Sequence, residues 1–254
     1  MTGTLVVNNS ARISTTEARV AMAAIIFYQF LSIALIFLRP DLNPSWHTIS
    51  EWAIGPYGWV MSGAFLISAL SYAALFVMLR SQLHGLSGRV GQGMLLICVI
   101  GATGVGIFTT DPMPIRSPLS TIGRLHVIFG SAQLVLFPFA ALIINLSLAR
   151  KNRAWARARR ILLWTAGLPL FGFLAFALYT AIFVAPLGPQ AYGPGVNIGW
   201  PPRFAFLTYM LWVLALCYQA IRCSHEATKQ THIKPMKNHL WQVKLPAALR
   251  RMNG

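Results

Sequence analysis

The residues best equipped for chemistry in this chain are His47, Ser50 and Glu51, then Asp111 and His126, then Arg203. Histidines and carboxylic acids move protons near neutral pH, and a serine hydroxyl beside a histidine can act as a nucleophile. His47 and Glu51 stand four apart, so a short helix through them would place both on one face as an acid–base or ligand pair. The same stretch has a purely structural alternative. Thr48 and Glu51 have the spacing of a capping box, which serves only to start a helix. His47, His126 and one acid could supply three ligands for metal-assisted hydrolysis. No two histidines have H-x-x-x-H spacing, however, and no nucleophile motif surrounds Ser50. No metal or other cofactor is therefore assigned.

Asp111 precedes Pro112, which is ordinary turn chemistry. His126 abuts an apolar segment, where an ionisable group calls for a partner, and of the outer acids Asp41, Glu51 and Asp111 the available ones are Asp111 and Glu51. Arg203 and Arg124 lie near the starts of predicted helices, where a cation opposes the helix dipole. Each either reaches to water or sits beside an anion. Exposed helix N–H groups together with these arginines could hold a carboxylate or a phosphate headgroup. Pairing of Arg203 with Asp111 or Glu51 is the expected competitor. Arg124 and Tyr57, the latter in the turn Gly55-Pro-Tyr57-Gly58, are secondary members of the cluster.

Apolar segments must position these groups. Hydrophobic residues make up 56% of the chain and charged ones 10%, with a mean hydropathy of +0.59. Six segments free of Asp, Glu, Lys and Arg cover 20–38, 57–79, 90–108, 125–149, 161–185 and 204–221. About 20 apolar residues cross a bilayer as a helix, and runs of this length exclude buried strands. The fold class is an all-α polytopic membrane bundle of six transmembrane helices. The first segment is too long for a signal peptide and reads as an uncleaved span.

The pieces between the spans carry charge unequally. With the N-terminus inside, the inner pieces hold 17 of the 21 Lys and Arg, and the outer ones only Arg39, Arg116, Arg124 and Arg203. By the positive-inside rule both termini are cytoplasmic. Segment 1–19 is then a polar leader, 20–222 the membrane domain and 223–254 a basic cytoplasmic tail. The formal charge of +16 invites a nucleic-acid partner. Dispersal of the basic residues beside spans argues instead for no nucleic acid and for anionic lipid headgroups at the cytoplasmic face. Cys98, Cys217 and Cys223 offer no disulfide pair in an outer loop.

Several further signals are structural. Trp46, Trp52, Trp59 and Trp200 suit an interfacial belt. Pro138 and Pro169 fall inside spans and mark kinks. Gly101, Gly104 and Gly106 allow close helix approach. Residues 240–249 mix Trp241 and basic side chains and could lie on the membrane surface or remain disordered.

Three of these stretches also resemble one family. His47-Thr-Ile-Ser50-Glu51-Trp-Ala-Ile-Gly55-Pro-Tyr57-Gly58, Phe108-Thr-Thr-Asp111 with Gly123-Arg124-Leu-His126, and Gly199-Trp-Pro-Pro-Arg203-Phe are similar to signatures of the bacterial membrane proteins grouped as domain of unknown function 998. Members commonly carry Asp where Glu51 stands. The resemblance spans 20–222 and implies a six-span protein of the bacterial inner membrane. It implies no reaction.

Two functions follow as expectations. The outer polar cluster binds or helps move a small molecule or lipid; the alternative is a membrane-embedded hydrolase or transferase using the same residues. The absence of a mid-span acid or base and of an inverted repeat weighs against transport, and the balance leans away from an enzyme. A haem protein would need facing axial ligands, and only His126 lies in a span.

Overall fold

The computed structural model describes residues 13–114, 118–188 and 191–240, the side chains of Lys151, Arg153 and 227–240 excepted. Six helices are long and apolar enough to cross a membrane. They are α1 (Thr15–Leu38), α2 (Gly58–Leu79), α3 (Gly85–Ile107), α4 (Thr121–Lys151), a composite fifth span and α7 (Trp200–Leu240). Consecutive helices pack against one another, and α7 closes the bundle against α1.

The two ends of the bundle are tied by different loops. At the upper end the Gly199 N–H donates to the Ser45 carbonyl at 2.9 Å, joining the loops after the first and fifth spans. At the lower end Asn152 Nδ2 donates to the Gln82 carbonyl at 2.9 Å and Trp155 Nε1 to Gln82 Oε1 at 3.2 Å. The arginines divide accordingly: Arg39, Arg124 and Arg203 lie at the upper end, with Arg19, Arg80, Arg89, Arg157 and Arg222 at the lower.

Helix boundaries depart from the sequence reading where apolar spans propagate into polar flanks. The polar leader is helical from Thr15, with Glu17 in the first turn, where a negative charge favours the helix dipole. The last helix runs to Leu240, well past the apolar stretch, with Arg222 and Glu226 paired at 3.9 Å one turn apart. The proposed surface segment beyond Leu240 lies outside the described residues.

The fifth span is broken. α5 (Arg159–Ala166) ends before Gly167, and α6 (Leu168–Tyr179) carries Pro169 in its first turn, which has no N–H to continue the preceding helix. A π-helical turn at Thr180–Val184 and a 3₁₀ turn at Ala185–Leu187 follow. Pro138, by contrast, lies inside an α4 that continues through it.

The α3–α4 seam shows what small residues do in an apolar solvent, where packing rather than water exclusion holds helices together. A Cβ on Gly104 would lie 2.2 Å from the Phe129 ring, and one on Gly101 would lie 2.8 Å from the Phe129 carbonyl. The Phe108 and Phe129 rings then stack with centroids 5.6 Å apart. This fixes the loop end of α3 against the start of α4, where His126 stands. In the bundle centre Phe137 lies 4.6 Å from Tyr209 and 4.9 Å from Tyr72, centroid to centroid.

Candidate functional site

A short 3₁₀ helix, Ile49–Ala53, organises the upper end. Its start is the capping box read from the sequence: Glu51 Oε2 accepts from the Thr48 N–H at 2.5 Å and from Thr48 Oγ1 at 3.1 Å. Glu51 is buried at 5% exposure, and its other oxygen accepts from the Tyr192 hydroxyl at 2.5 Å. Burial, and then the neighbouring Glu51, push the Tyr192 phenol above its ordinary range, so it stays a donor. Glu51 is thus consumed by a cap and a loop clasp. His47 precedes the helix, with Nδ1 3.0 Å from the Asn43 carbonyl and its ring 3.7 Å from that of Trp46. No hydrogen bond joins it to Glu51.

His126 finds a different partner from those expected. Its Nδ1 lies 2.7 Å from the Phe108 carbonyl and its Nε2 2.8 Å from Ser50 Oγ. A carbonyl only accepts, so in the neutral ring Nδ1 carries the proton and Nε2 accepts from the Ser50 hydroxyl. The expected pairing of His126 with Asp111 or Glu51 is corrected. Both carboxyls are engaged elsewhere.

Asp111 stands apart from this group. Its carboxyl accepts from the Ser120 N–H at 2.8 Å and from Ser120 Oγ at 2.5 Å. Ser120 in turn caps α4, its Oγ accepting from the Gly123 N–H at 2.9 Å. Hydrogen bonds from the Ser120 side chain and then its backbone hold the Asp111 carboxyl below the ordinary carboxylate range. A depressed folded value means that the clasp is complete above the ordinary carboxylate range and weakens as pH falls through the folded value. Hydrogen-exchange protection at the Ser120 and Gly123 amides, corrected for intrinsic rate, should drop on acidification. Asp111→Asn should lose that pH dependence. Unchanged protection in acid would contradict the clasp.

Arg203 is not paired with Asp111 or Glu51, contrary to expectation. Its Nη1 is shared among the carbonyls of Gly199 (2.7 Å), His47 (2.9 Å) and Pro44 (3.1 Å). The guanidinium carbon lies 4.3 Å above the Trp52 ring. Among the described residues its Nε and Nη2 donate no hydrogen bond, and the ion pairs are Arg39–Asp41, Arg157–Glu226 and Arg222–Glu226. Arg203 thus joins loop backbones and, among the described residues, forms no ion pair, although the buried Glu51 lies near enough to interact with its charge. Arg124 is exposed and returns to its own loop, Nε donating to the Leu119 carbonyl at 3.1 Å. Tyr57 is half exposed and starts α2 in the left-handed region at φ 58°.

Beneath Arg203 lies a cavity of about 780 Å³ between α1, α2, α7 and the short helix. Tyr28, Ile36, Trp52, Met61, Leu207 and Arg203 are among its walls. Trp52 is 2% exposed, and its indole N–H has no hydrogen-bond partner. It therefore leaves the interfacial belt proposed for the tryptophans, whereas Trp59 and Trp200 remain on the surface at 75% and 49% exposure.

The structure therefore brings Ser50 together with His126, ties Arg203 to the loop of His47, and leaves Asp111 and Arg124 to their own loop. Sequence reasoning missed Tyr192 and the buried Arg39. Arg39 is the last residue before a proline, a place that gives no signal of burial. Among the described residues no three His, Cys, Asp or Glu side chains gather as a metal site. The family model described as "Protein of unknown function (DUF998)" matches residues 21–219, a range containing all the upper-end groups above. No curated protein and no solved structure matches the chain.

Proposed function

The chain belongs to the DUF998 family, whose description names no activity, and from its geometry we propose that it is a multi-pass protein of the bacterial inner membrane that binds an anionic amphiphile at its outward face. The upper end faces out and both termini are cytoplasmic, a reading supported by the richness of the lower end in Arg. The acyl part of the ligand occupies the cavity and its negative group meets Arg203.

One observation carries this reading: Arg203 is a cation that forms no ion pair among the described residues, on the wall of a cavity of about 780 Å³. An unpaired charge beside hydrocarbon is costly, and an anion offsets that cost. The volume falls within the roughly 300–1,000 Å³ common for ligand pockets.

Native mass spectrometry of the detergent-purified full chain tests the proposal with phosphatidylglycerol, phosphatidylcholine and inorganic phosphate as separate probes. Phosphatidylglycerol should bind, and Arg203→Gln should weaken it about tenfold or more, matching the loss of a charge-assisted hydrogen bond. Phosphatidylcholine should bind more weakly and respond less to the substitution. Leu207→Trp fills the cavity while keeping Arg203, and should also lose phosphatidylglycerol. If inorganic phosphate binds as well as the lipid, the cavity plays no part. Equal phosphatidylglycerol retention by Arg203→Gln and wild type would refute the assignment.

A further inference from the structure

We propose that Ser50 and His126 form a nucleophile–base dyad that acts on a carboxylic ester at the outward interface. The geometry is that of an activated hydroxyl: Ser50 Oγ lies 2.8 Å from His126 Nε2, within the range required of a nucleophile and its base. The base is itself oriented, because the Phe108 carbonyl 2.7 Å from Nδ1 fixes the tautomer that leaves Nε2 free to accept a proton. Two packed elements hold it there. Phe108 ends α3, and its ring stacks on Phe129, one turn along α4 from His126.

The environments of the two side chains differ in the sense the chemistry needs. His126 is 6% exposed, while Ser50 is partly exposed on the short helix. The imidazole is thus kept from bulk water, while the serine lies nearer the surface. The dyad sits where the bundle leaves its apolar spans, at the depth where headgroups meet acyl chains and where lipid ester carbonyls lie. Ile49 and Trp52 face the Arg203 cavity from the same short helix, but the dyad does not use that cavity, so the two readings stand or fall separately.

The step balances with water as the second reactant. Ser50 Oγ forms a bond to the ester carbonyl carbon as Nε2 takes the hydroxyl proton. The bond to the alcohol oxygen breaks, and that oxygen leaves with the proton from Nε2. Water, deprotonated by Nε2, then attacks the acyl-serine, releasing the acid and restoring the hydroxyl. A carbonyl dipole at Nδ1 stabilises the transient imidazolium less than a carboxylate would, so turnover is expected to be slow.

A fluorophosphonate probe, followed by mass mapping of the adduct, reads the dyad directly in the detergent-purified full chain. The expected result is a time-dependent adduct on Ser50, absent in Ser50→Ala and formed about 100-fold more slowly in His126→Gln, the lower range for loss of a positioned base. No adduct on the wild type, or an equal rate in His126→Gln, would overturn the proposal and leave the bond as a pin between loop and helix. Should His126→Gln lose its melting transition, Ser50→Cys gives the second measure. Its alkylation by iodoacetamide at neutral pH should exceed that of Ser45→Cys, and an equal or slower rate would overturn it. p-Nitrophenyl octanoate should be cleaved by wild type and not by Ser50→Ala; labelling without cleavage would rule out the ester. Labelling is measured without any added lipid, which separates this test from that of lipid binding.

Discussion

Replacing Gly199 with Ala is expected to lower the melting temperature by roughly 6–12 °C and to abolish retention of phosphatidylglycerol, although Arg203 is untouched. A Cβ at this position would stand 2.1 Å from the Pro44 carbonyl oxygen, 2.7 Å from that of His47 and 2.9 Å from Arg203 Nη1. Two of these three neighbours are backbone, so no side-chain rotation relieves the overlap. The loop must move away, which separates Arg203 from the carbonyls that hold it and breaks the Gly199–Ser45 bond. Overpacking costs about 1–3 kcal/mol and occasionally more; unyielding backbone neighbours put this case near 3 kcal/mol, and each kcal/mol lowers the melting temperature of a chain this size by about 2–4 °C. Gly93→Ala and Gly63→Ala are the controls, because a Cβ there meets nothing within 4 Å. Both lie within helices, where Ala is favoured over Gly by up to about 1 kcal/mol, so they should be neutral or stabilising. Thermal melts in one detergent decide the matter. If Gly199→Ala melts with the controls, the three-carbonyl cage does not hold the upper end together.

That cage also marks where legibility of the sequence stopped. The six spans were readable because hydrocarbon demands long uncharged runs, and the structure has six helices of that kind over nearly the same residues. The capping box at Thr48 and Glu51 was readable because it is local, set by a spacing of three. The close approach along Gly101 and Gly104 was readable as a pattern, though not the Phe129 that fills it. Long-range pairings were not readable. From the sequence, Arg203 and His126 were expected to seek acids, because charge pairing is the only long-range partner rule that needs no coordinates. Folded loops instead present carbonyls, which every residue carries and no sequence pattern reveals. Asp111 took Ser120, nine residues away, and Glu51 took Thr48 and Tyr192. Ser50 was named as a candidate for its type alone, and only the packing of α3 against α4 brings His126 to its hydroxyl.

Arg39→Met is expected to destabilise the protein by about 3 kcal/mol, far more than removal of its ionic partner through Asp41→Asn. Arg39 is 7% exposed, whereas the Asp41 side chain is 60% exposed. Its Nε and Nη2 reach the Asp41 carboxylate at 2.9 and 2.8 Å, and its Nη1 donates to the carbonyls of Ile54 at 2.7 Å and Pro56 at 2.8 Å. An ion pair open to water contributes little, since solvent screens it and side-chain entropy opposes it. Hydrogen bonds from a charged donor to shielded carbonyls contribute about 1.5–3 kcal/mol each. The carbonyl bonds therefore decide the outcome. They close the turn around Gly55, at φ +76°, and Tyr57, which delivers the chain from the short helix into α2. Methionine keeps most of the aliphatic bulk, so the measured loss reports the guanidinium rather than a cavity. The guanidinium also sits just past the last turn of α1, where a cation is favoured by the helix dipole. Because the turn carries the short helix, Arg39→Met should also slow fluorophosphonate labelling at Ser50, while Asp41→Asn should leave both readouts near wild type. Equal destabilisation by the two substitutions would show that the ion pair, and not the carbonyl staple, fixes the turn that carries Ser50.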